Sequence, residues 1–301
     1  MVDVKFGISP LTWTNDDMPS LGGEIPLETC LAEMQEAGFV GTELGTKYPR
    51  DPAIIIPLLA KYGLSIASGW FSGNLFNKEK TVKQEIADFQ SHLELLSKAG
   101  CRATVYGEVS NTVHGSMDVP LSKRYIVKND DEWKWYGERL TQFSEYAKSQ
   151  GLDVGYHHHM GTVVQSVQDI DKLMQYSGDA LGLTLDTGHV TFAGGDPVPV
   201  IEKHAKRIVH VHFKDVRPEI LKKVHDEDLS FLQAVLEGIY TVPGDGCIDY
   251  PSVFKSLKKI GYKGWLLVEA EQDPKKAHPL TYAKLAMKNL RSYADLVGYT
   301  Y

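Results

Sequence analysis

The chain has little of what a disulfide framework, a membrane span or a nucleic-acid surface requires. Only three of its 301 residues are cysteines, and Cys30, Cys101 and Cys247 lie far apart with no CxxC pair. This pattern excludes a disulfide scaffold and a structural zinc knuckle. No apolar run approaches the roughly 18 residues of a membrane span. The formal net charge is -7 at pH 7, whereas a nucleic-acid surface needs a basic stripe.

Two further motifs are missing. The segment from Met1 to Lys5 lacks the apolar core of a signal peptide, so we expect a cytoplasmic protein without membrane or nucleic-acid partners. No GxGxxG turn follows any predicted strand, which argues against an open, doubly wound nucleotide-binding sheet. Hydrophobic residues at 43% and charged residues at 24% are ordinary for a globular protein.

Strand and helix patterns alternate along the whole chain. Alternating polarity predicts strands at 4–9, 41–44, 64–68, 102–106, 152–157, 181–186, 208–214 and 265–271. Helical spacing predicts helices at 27–37, 52–62, 79–98, 131–149, 167–176, 198–206, 250–260 and 279–296. Eight such units predict a closed parallel barrel. We therefore expect residues 1–301 to form a single (β/α)8 TIM-barrel domain, with a long loop at 109–129 and a partly helical insertion at 215–238.

Histidines and carboxylates gather at the ends of four predicted strands. Alternation in each strand places an apolar set on one face and a polar set on the other. The polar sets are His157 and His159, then Asp186 with His189 just beyond, then His210, His212 and Lys214, and finally Glu269 with Glu271. Burying so many ionisable groups at one end of a sheet is costly unless they pair or coordinate a metal. The pattern therefore indicates a metal site at the carboxyl ends of the strands, where barrel active sites lie.

We expect His157, Asp186, His212 and Glu269 to bind the metal, one from each of the last four strands. Glu271 shares a face with Glu269 and is the alternative ligand. Two imidazoles and two carboxylates suit Mn²⁺, Co²⁺, Fe²⁺ or Zn²⁺ better than Mg²⁺ or Cu(I).

Other polar residues near the strand ends are candidates for substrate contact or for orienting the ligands. Each also has a simpler structural explanation, as a packed or solvated side chain. The candidates for substrate contact are His159, His210, Arg217, Trp70 and Glu108.

Several motifs resemble those of the xylose-isomerase-like barrel superfamily. They are GISPLTWTND, YHHHMGT, LDTGH, VHVHFKD, PGDGCID and GWLLVEAEQD, which run from the first strand to the last. Within the superfamily they are most similar to the inosose dehydratase family. The resemblance implies that Asp186, His212 and Glu269 are metal ligands. The superfamily commonly has Glu at the strand-5 ligand position, where this chain has His157.

The resemblance also implies an activity. It is that of a hydro-lyase that uses a divalent metal, usually Mn²⁺ or Co²⁺, to remove water from 2-keto-myo-inositol in inositol catabolism. The product is a trihydroxycyclohexane-1,2-dione. One side chain would take the proton next to the ketone and another would protonate the leaving hydroxyl. The candidates for these transfers are Glu269, His189 and Lys214.

Three alternatives stay open from the sequence. A sugar isomerase or epimerase could use the same barrel and metal. A DNA-repair endonuclease shares the superfamily but is disfavoured by the net charge of -7. A polyol-binding protein with a structural metal is the non-catalytic alternative. The expected partner is a small cyclic polyol ketone, and a homo-oligomer is compatible with the sequence.

Overall fold

In the computed structural model, which describes residues 2–301, eight parallel strands close into a barrel. Two short strands, β8 and β9, form a separate antiparallel pair. Around the barrel the strands follow the order β1-β10-β7-β6-β5-β4-β3-β2. Their bounds are β1 Val4–Ile8, β2 Gly41–Leu44, β3 Ser65–Gly73, β4 Ala103–Glu108, β5 Asp153–His157, β6 Leu181–Asp186, β7 Ile208–Phe213, β8 Asp215–Val216, β9 Tyr240–Thr241 and β10 Gly264–Val268. The predicted closed barrel is confirmed.

Helices connect the strands on the outside of the barrel. Side-chain caps begin several of them; Thr81 with Gln84, Ser166 with Asp169, and Ser230 with Gln233 form capping boxes. The helices are α1 Leu27–Ala37, α2 Pro52–Ala60, α3 Val82–Lys98, α4 Asp130–Ser149, α5 Val167–Tyr176, α6 Thr187–Phe192, α7 Pro197–Lys203, α8 Pro218–Glu227, α9 Phe231–Glu237, α10 Tyr250–Lys259 and α11 Pro279–Val297. In the described part of the chain, none of them is long and apolar enough to cross a membrane.

The structure corrects three details of the predicted elements. Strand β3 extends to Gly73, so Trp70 lies within the strand and not after it. Strand β4 likewise includes Glu108. Helix α6 was not predicted, because its six residues are too few to show helical spacing. It forms because the Asp186 side chain accepts a hydrogen bond from the His189 backbone N–H and caps the first turn.

An irregularity in β7 corrects the predicted alternation there. Leu183 pairs with Ile208, but the next residue, Thr184, pairs with His210. Val209 is the extra residue of this bulge. A Cβ atom placed on Gly155 or Gly182, both on inward-facing positions, would come close to Val209. Val209 therefore faces the barrel interior, and the expected strict alternation, which would put Val209 and His210 on opposite faces of the strand, is wrong at this position.

The insertion after β7 builds a second apolar cluster beside the main core. Its members include Phe192, Val216, Phe231, Val235 and Tyr240, all buried. The hairpin of β8 and β9 and helices α8 and α9 supply most of these residues. The cluster matters for the site, because Phe231 and Tyr240 contact the histidines that follow β5 and β6.

Candidate metal centre and cavity

Four potential ligands converge at the carboxyl ends of β5, β6, β7 and β10. One ligand atom from each of His157, Asp186, His212 and Glu269 lies within 4.8 Å of the others. His157 Nε2 is 3.2 Å from Asp186 Oδ2, and His212 Nδ1 is 3.0 Å from Glu269 Oε2. His157, Asp186 and His212 are buried at 0–1% exposure. The structure thus brings together the four residues predicted as metal ligands, and we call them the quartet.

Glu43 at the end of β2 orients His212. The Nε2 atoms of His210 and His212 lie 2.9 and 3.1 Å from Glu43 Oε1. A carboxylate accepts only, so each Nε2 carries the hydrogen and donates it. His212 Nδ1 is therefore the nitrogen that faces the quartet, and it can give its lone pair to a cation once it has lost its own proton. A carboxylate behind a histidine fixes the ligand tautomer in this way in many metal sites.

Asp186 is held by backbone and side-chain contacts on both sides. Its Oδ1 accepts from the His189 backbone N–H at 2.8 Å, and its own N–H donates to His158 Nε2 at 3.2 Å. These contacts leave Oδ2 as the atom that faces His157 and His212. The LDTGH segment therefore positions a ligand and starts helix α6 with the same side chain.

Lys214 neutralises the carboxylates around the quartet. Its Nζ lies 3.2 Å from Asp186 Oδ2, 2.9 Å from Glu269 Oε2 and 3.4 Å from Glu271 Oε1. Burial alone would lower the pKa of this fully buried amine, but the charges of Asp186, Glu269 and Glu271 outweigh burial and raise the pKa above its usual value. Lys214 is therefore an ammonium that holds the side chains of Asp186, Glu269 and Glu271 in place.

The two histidines of the quartet differ in charge when no metal is bound. Burial holds the pKa of His157 well below its usual value, and the charge of His212 adds to this. Burial would also lower the pKa of His212, but Glu269 and Glu43 raise it well above the ordinary value. Without a metal, His212 thus carries the proton that balances these two carboxylates. A cation at the quartet replaces such a proton, because ligands bind only when deprotonated.

The quartet fits a divalent cation. The buried Nδ1 of His212, which faces Asp186 and Glu269, has no hydrogen-bond partner among the described residues. The 3.0 Å approach of His212 Nδ1 to Glu269 Oε2 lacks hydrogen-bond geometry. His157 Nε2 lies 3.2 Å from Asp186 Oδ2, so two imidazole nitrogens and two carboxylate oxygens meet at one buried point, which is the arrangement a cation needs. The mixed nitrogen and oxygen set suits a first-row divalent ion.

A cavity of about 560 Å³ opens onto the quartet through His157 and Glu269. This volume lies within the usual range for a small-molecule site. Trp70, His159 and Glu271 form part of the same wall. The Trp70 ring stands edge-on to His157 and His159, with centroids 5.3 and 6.3 Å away.

His159 presents one nitrogen to the cavity. Its Nδ1 lies 2.8 Å from the Met160 carbonyl oxygen and donates to it. Nε2 therefore keeps a lone pair. The ring packs 3.9 Å from His189 and 4.6 Å from Phe231, centroid to centroid. His159, His189 and Glu271 also offer atoms within 4.8 Å of one another, so His159 and Glu271 are neighbours in the wall.

Two residues predicted to transfer protons lie behind this wall. His189 and Lys214 are fully buried and are not part of the cavity lining. His189 Nε2 is 3.3 Å from Lys214 Nζ, and His189 Nδ1 is 2.8 Å from the Tyr240 hydroxyl. The prediction that His189 or Lys214 exchanges a proton directly with the substrate is therefore corrected. Both support the carboxylates and His159 that face the cavity.

Three predicted substrate contacts lie elsewhere. His210 is beneath the quartet, bonded to Glu43. Arg217 donates to the carbonyl oxygens of Gly238 and Tyr240 and so ties the α8 start to the β9 hairpin. Glu108 belongs to a buried group of tyrosines outside the barrel. Each follows a strand or lies in one, but its side chain turns away from the cavity, so the predicted contacts are corrected for all three.

Sequence reasoning left several cavity and site residues without a role. The cavity wall also contains Asn15 and Asp17, from the loop after β1, and His114, from the long loop after β4. Their position in loops that follow barrel strands was a usable signal. Tyr240 gave no signal, because it lies in a two-residue strand inside the insertion.

Comparisons with known proteins agree with the geometry. Residues 31–293 match the family model described as xylose isomerase-like TIM barrel. The chain is 50% identical to the rhizopine catabolism protein MocC of Rhizobium meliloti, over 99% of this chain and 91% of that protein. It is 46% identical to the inosose dehydratase of Geobacillus thermodenitrificans, over 97% and 98%.

A solved structure shares the fold at low identity. The IolI protein, crystallised with a bound zinc atom, superposes with a TM-score of 0.62 at 17% identity, over 98% of each chain. The family model and the two full-length relatives decide the classification. This chain belongs to the xylose isomerase-like TIM-barrel family, in the group of sequences that includes the inosose dehydratases.

Proposed function

We propose that the protein is a divalent-metal hydro-lyase that removes water from an inosose, 2-keto-myo-inositol. The product is a trihydroxycyclohexane-1,2-dione, an intermediate of myo-inositol catabolism. The observation that carries the proposal is the quartet at the floor of a cavity of about 560 Å³. The 46% identity to an inosose dehydratase over 97% of the chain supports the choice of substrate.

His157, Asp186, His212 and Glu269 would hold the cation. When bound, a divalent ion supplies Lewis acidity that polarises a ketone oxygen and acidifies the neighbouring carbon. Mn²⁺ or Co²⁺ is the proposed ion, and Zn²⁺ and Fe²⁺ fit the same ligand set. The zinc found in IolI supports a divalent ion in this fold and leaves the choice of ion to experiment.

The residues in the cavity wall would divide the proton transfers. Glu269 is the member of the quartet that faces the cavity together with His157, and its Oε2 accepts a hydrogen bond from Lys214. Its carboxylate takes the proton from the carbon next to the ketone.

Glu271 and His159 are neighbours in the same wall. Burial raises the pKa of Glu271 to about 8, so its carboxyl keeps a proton near neutral pH. Glu271, with His159 beside it, gives this proton to the leaving hydroxyl, which departs as water, and the remaining enol becomes the diketone.

His157 favours elimination over epimerisation. Inverting a carbon by two bases needs a proton acceptor on each face of it. At strand β5 the chain supplies an imidazole whose lone pair belongs to the quartet, with no carboxylate in its place. Elimination needs one base at the carbon and one acid at the leaving hydroxyl, and the wall provides both.

Location and assembly remain predictions. Cell fractionation tests the cytoplasmic location expected from the sequence. Light scattering of the purified protein tests whether it forms a homo-oligomer, which the sequence allows.

The experiment is a dehydration assay with metal stripped and restored. Chelator-treated protein is incubated with 2-keto-myo-inositol, either without added metal or with Mn²⁺ or Co²⁺. The masses of the products are measured by mass spectrometry. We expect loss of one water only when the metal is restored, and no product from Asp186→Ala. Asp131→Asn, an exposed change in α4, is the matched control and should behave as the wild type. An isomer of unchanged mass would indicate an epimerase, and binding without product would indicate a polyol-binding protein.

A further inference from the structure

The cavity wall contains polar side chains that the proposed proton transfers leave unused. Asn15 and Asp17 come from the loop between the turn of 3-10 helix at Pro10–Thr12 and helix α1. His114 comes from the long loop that follows β4. All three line the same cavity as His157 and Glu269.

Asn15 is a buried donor without a partner. Its side chain is only 3% exposed. Its Oδ1 accepts a hydrogen bond from the Met18 backbone N–H at 2.7 Å, and this bond fixes which end of the amide is which. Nδ2 is therefore the free end, and it has no hydrogen-bond partner among the described residues. An unpaired buried donor destabilises the protein, and a ligand oxygen that accepts from it would remove this cost.

Asp17 and His114 line the same cavity and offer different hydrogen-bonding groups, a carboxylate that accepts and an imidazole nitrogen. Asp17 is an exposed residue in the lining of the cavity. His114 is held by its Nδ1, 2.9 Å from Thr112 Oγ1, and its ring lies 5.3 Å from that of His159. This leaves His114 Nε2 and both Asp17 oxygens for a ligand.

We infer that Asn15, Asp17 and His114 form the subsite that recognises the ring hydroxyls of a cyclic polyol. A hydroxyl both donates and accepts, so neighbouring hydroxyls on one ring satisfy a fixed amide donor and a carboxylate acceptor together. The Asn15 amide donates to one hydroxyl oxygen, and Asp17 accepts from a neighbouring hydroxyl. Trp70 covers the ring from the wall. This inference rests on the proposed function and names the groups that select its substrate.

The subsite predicts discrimination by hydroxyl content. A site built to bond a hydroxyl rejects an analogue without it more strongly than a purely apolar pocket does, because its polar groups are left unpaired. Ketones that lack the ring hydroxyls should therefore be poor ligands even with the metal bound.

The test replaces the free donor alone. Asn15→Asp keeps the Oδ1 that accepts from Met18 and replaces only Nδ2 with an oxygen. Asn77→Asp is the matched control, since Asn77 Oδ1 accepts from the Glu79 backbone N–H in the same way and the residue is exposed outside the cavity. Binding of myo-inositol and of 2-keto-myo-inositol is measured by calorimetry on Mn²⁺-loaded protein, with metal content determined for each variant. KM and kcat for water loss are measured alongside.

We expect Asn15→Asp to weaken polyol binding and to raise KM, each by about tenfold. The variant loses the hydrogen bond that Nδ2 would donate, and the new carboxylate oxygen would repel the hydroxyl oxygen of the ligand. Metal content should stay unchanged, and Asn77→Asp should match the wild type. Wild-type dehydration with unchanged affinity in Asn15→Asp overturns the subsite and leaves the proposed function standing. Polyol binding that Asn15→Asp weakens, without water loss in the wild type, supports the subsite and overturns the dehydratase. Absence of both binding and water loss in the wild type overturns both.

Discussion

The stability of the fold should depend on the protonation of Glu108, a carboxyl buried between β4 and helices α3 and α4. Glu108 Oε2 lies 2.9 Å from the Tyr136 hydroxyl and 3.3 Å from the Tyr106 hydroxyl. The Tyr106 hydroxyl is also 3.1 Å from Glu85 Oε1. One hydroxyl proton cannot serve two carboxylates, so the contacts are all satisfied only when one carboxyl keeps its proton.

The magnitude follows from the shift in pKa. Burial raises the pKa of Glu108 from 4.5 to about 7, against the opposing hydrogen bonds from Ser110, Tyr136 and Phe76. A carboxyl with a raised folded-state pKa contributes stability below pH 4.5, and this contribution is lost as the pH rises through about 7. Between pH 5 and pH 8 the loss amounts to about 2.5 kcal/mol.

The assay compares wild type with Glu108→Gln by urea unfolding at pH 5, 6, 7 and 8, in the presence of chelator. The amide cannot ionise, so the stability of wild type relative to the variant should fall by about 2.5 kcal/mol over this range. The melting temperatures of wild type and variant should diverge by about 4 °C over this pH range. Other pH effects are common to both proteins and cancel. Glu138→Gln, exposed on α4, should track the wild type. A wild-type–variant difference that is constant with pH would refute the argument.

Three further predictions concern the site. Asp186→Ala and His212→Ala should abolish bound metal in elemental analysis, whereas Glu271→Gln should retain it. Loss of metal in Glu271→Gln would identify Glu271, in place of Glu269, as the fourth ligand. Lys214→Met should destabilise the metal-free protein by about 3–5 kcal/mol, because the buried carboxylates of Asp186 and Glu269 lose their ammonium. Added Mn²⁺ should therefore raise its melting temperature more than that of wild type, and equal increments would contradict the role given to Lys214. Trp70→Leu should raise KM several-fold with metal content unchanged, because Trp70 lines the cavity that would hold the substrate. Loss of bound metal instead would show that Trp70 acts by holding the ligand His157 in position.

The barrel and the quartet could be predicted from the sequence because both depend on short-range periodicity. Alternation within a strand determines which side chains share a face, and parallel strands bring their carboxyl ends to one rim. Asp186 and His212 could therefore be placed together without coordinates. Alternation failed at Val209, where a bulge inserts one residue. The prediction that residues 1–301 form a single domain remains a prediction.

The rest of the site depends on contacts between distant segments. Glu43 orients His210 and His212 across more than 160 positions of sequence, and no local pattern reveals such a pair. Arg217 and Glu108 follow or end strands as cavity residues do, yet their side chains bond to the insertion and to the outer helices. The partner available to each side chain decides its direction, and that partner is set by tertiary packing.

The most direct test of the central claim is the fate of substrate hydrogen in D₂O. Metal-loaded protein is incubated with 2-keto-myo-inositol in D₂O, the metal is removed with chelating resin, and product and residual substrate are examined by NMR. A site with one base beside His157 predicts a dehydrated diketone and recovered substrate with every carbinol centre unchanged. Recovered substrate with deuterium at an inverted carbon would show a second base at work and would contradict the assignment as a dehydratase.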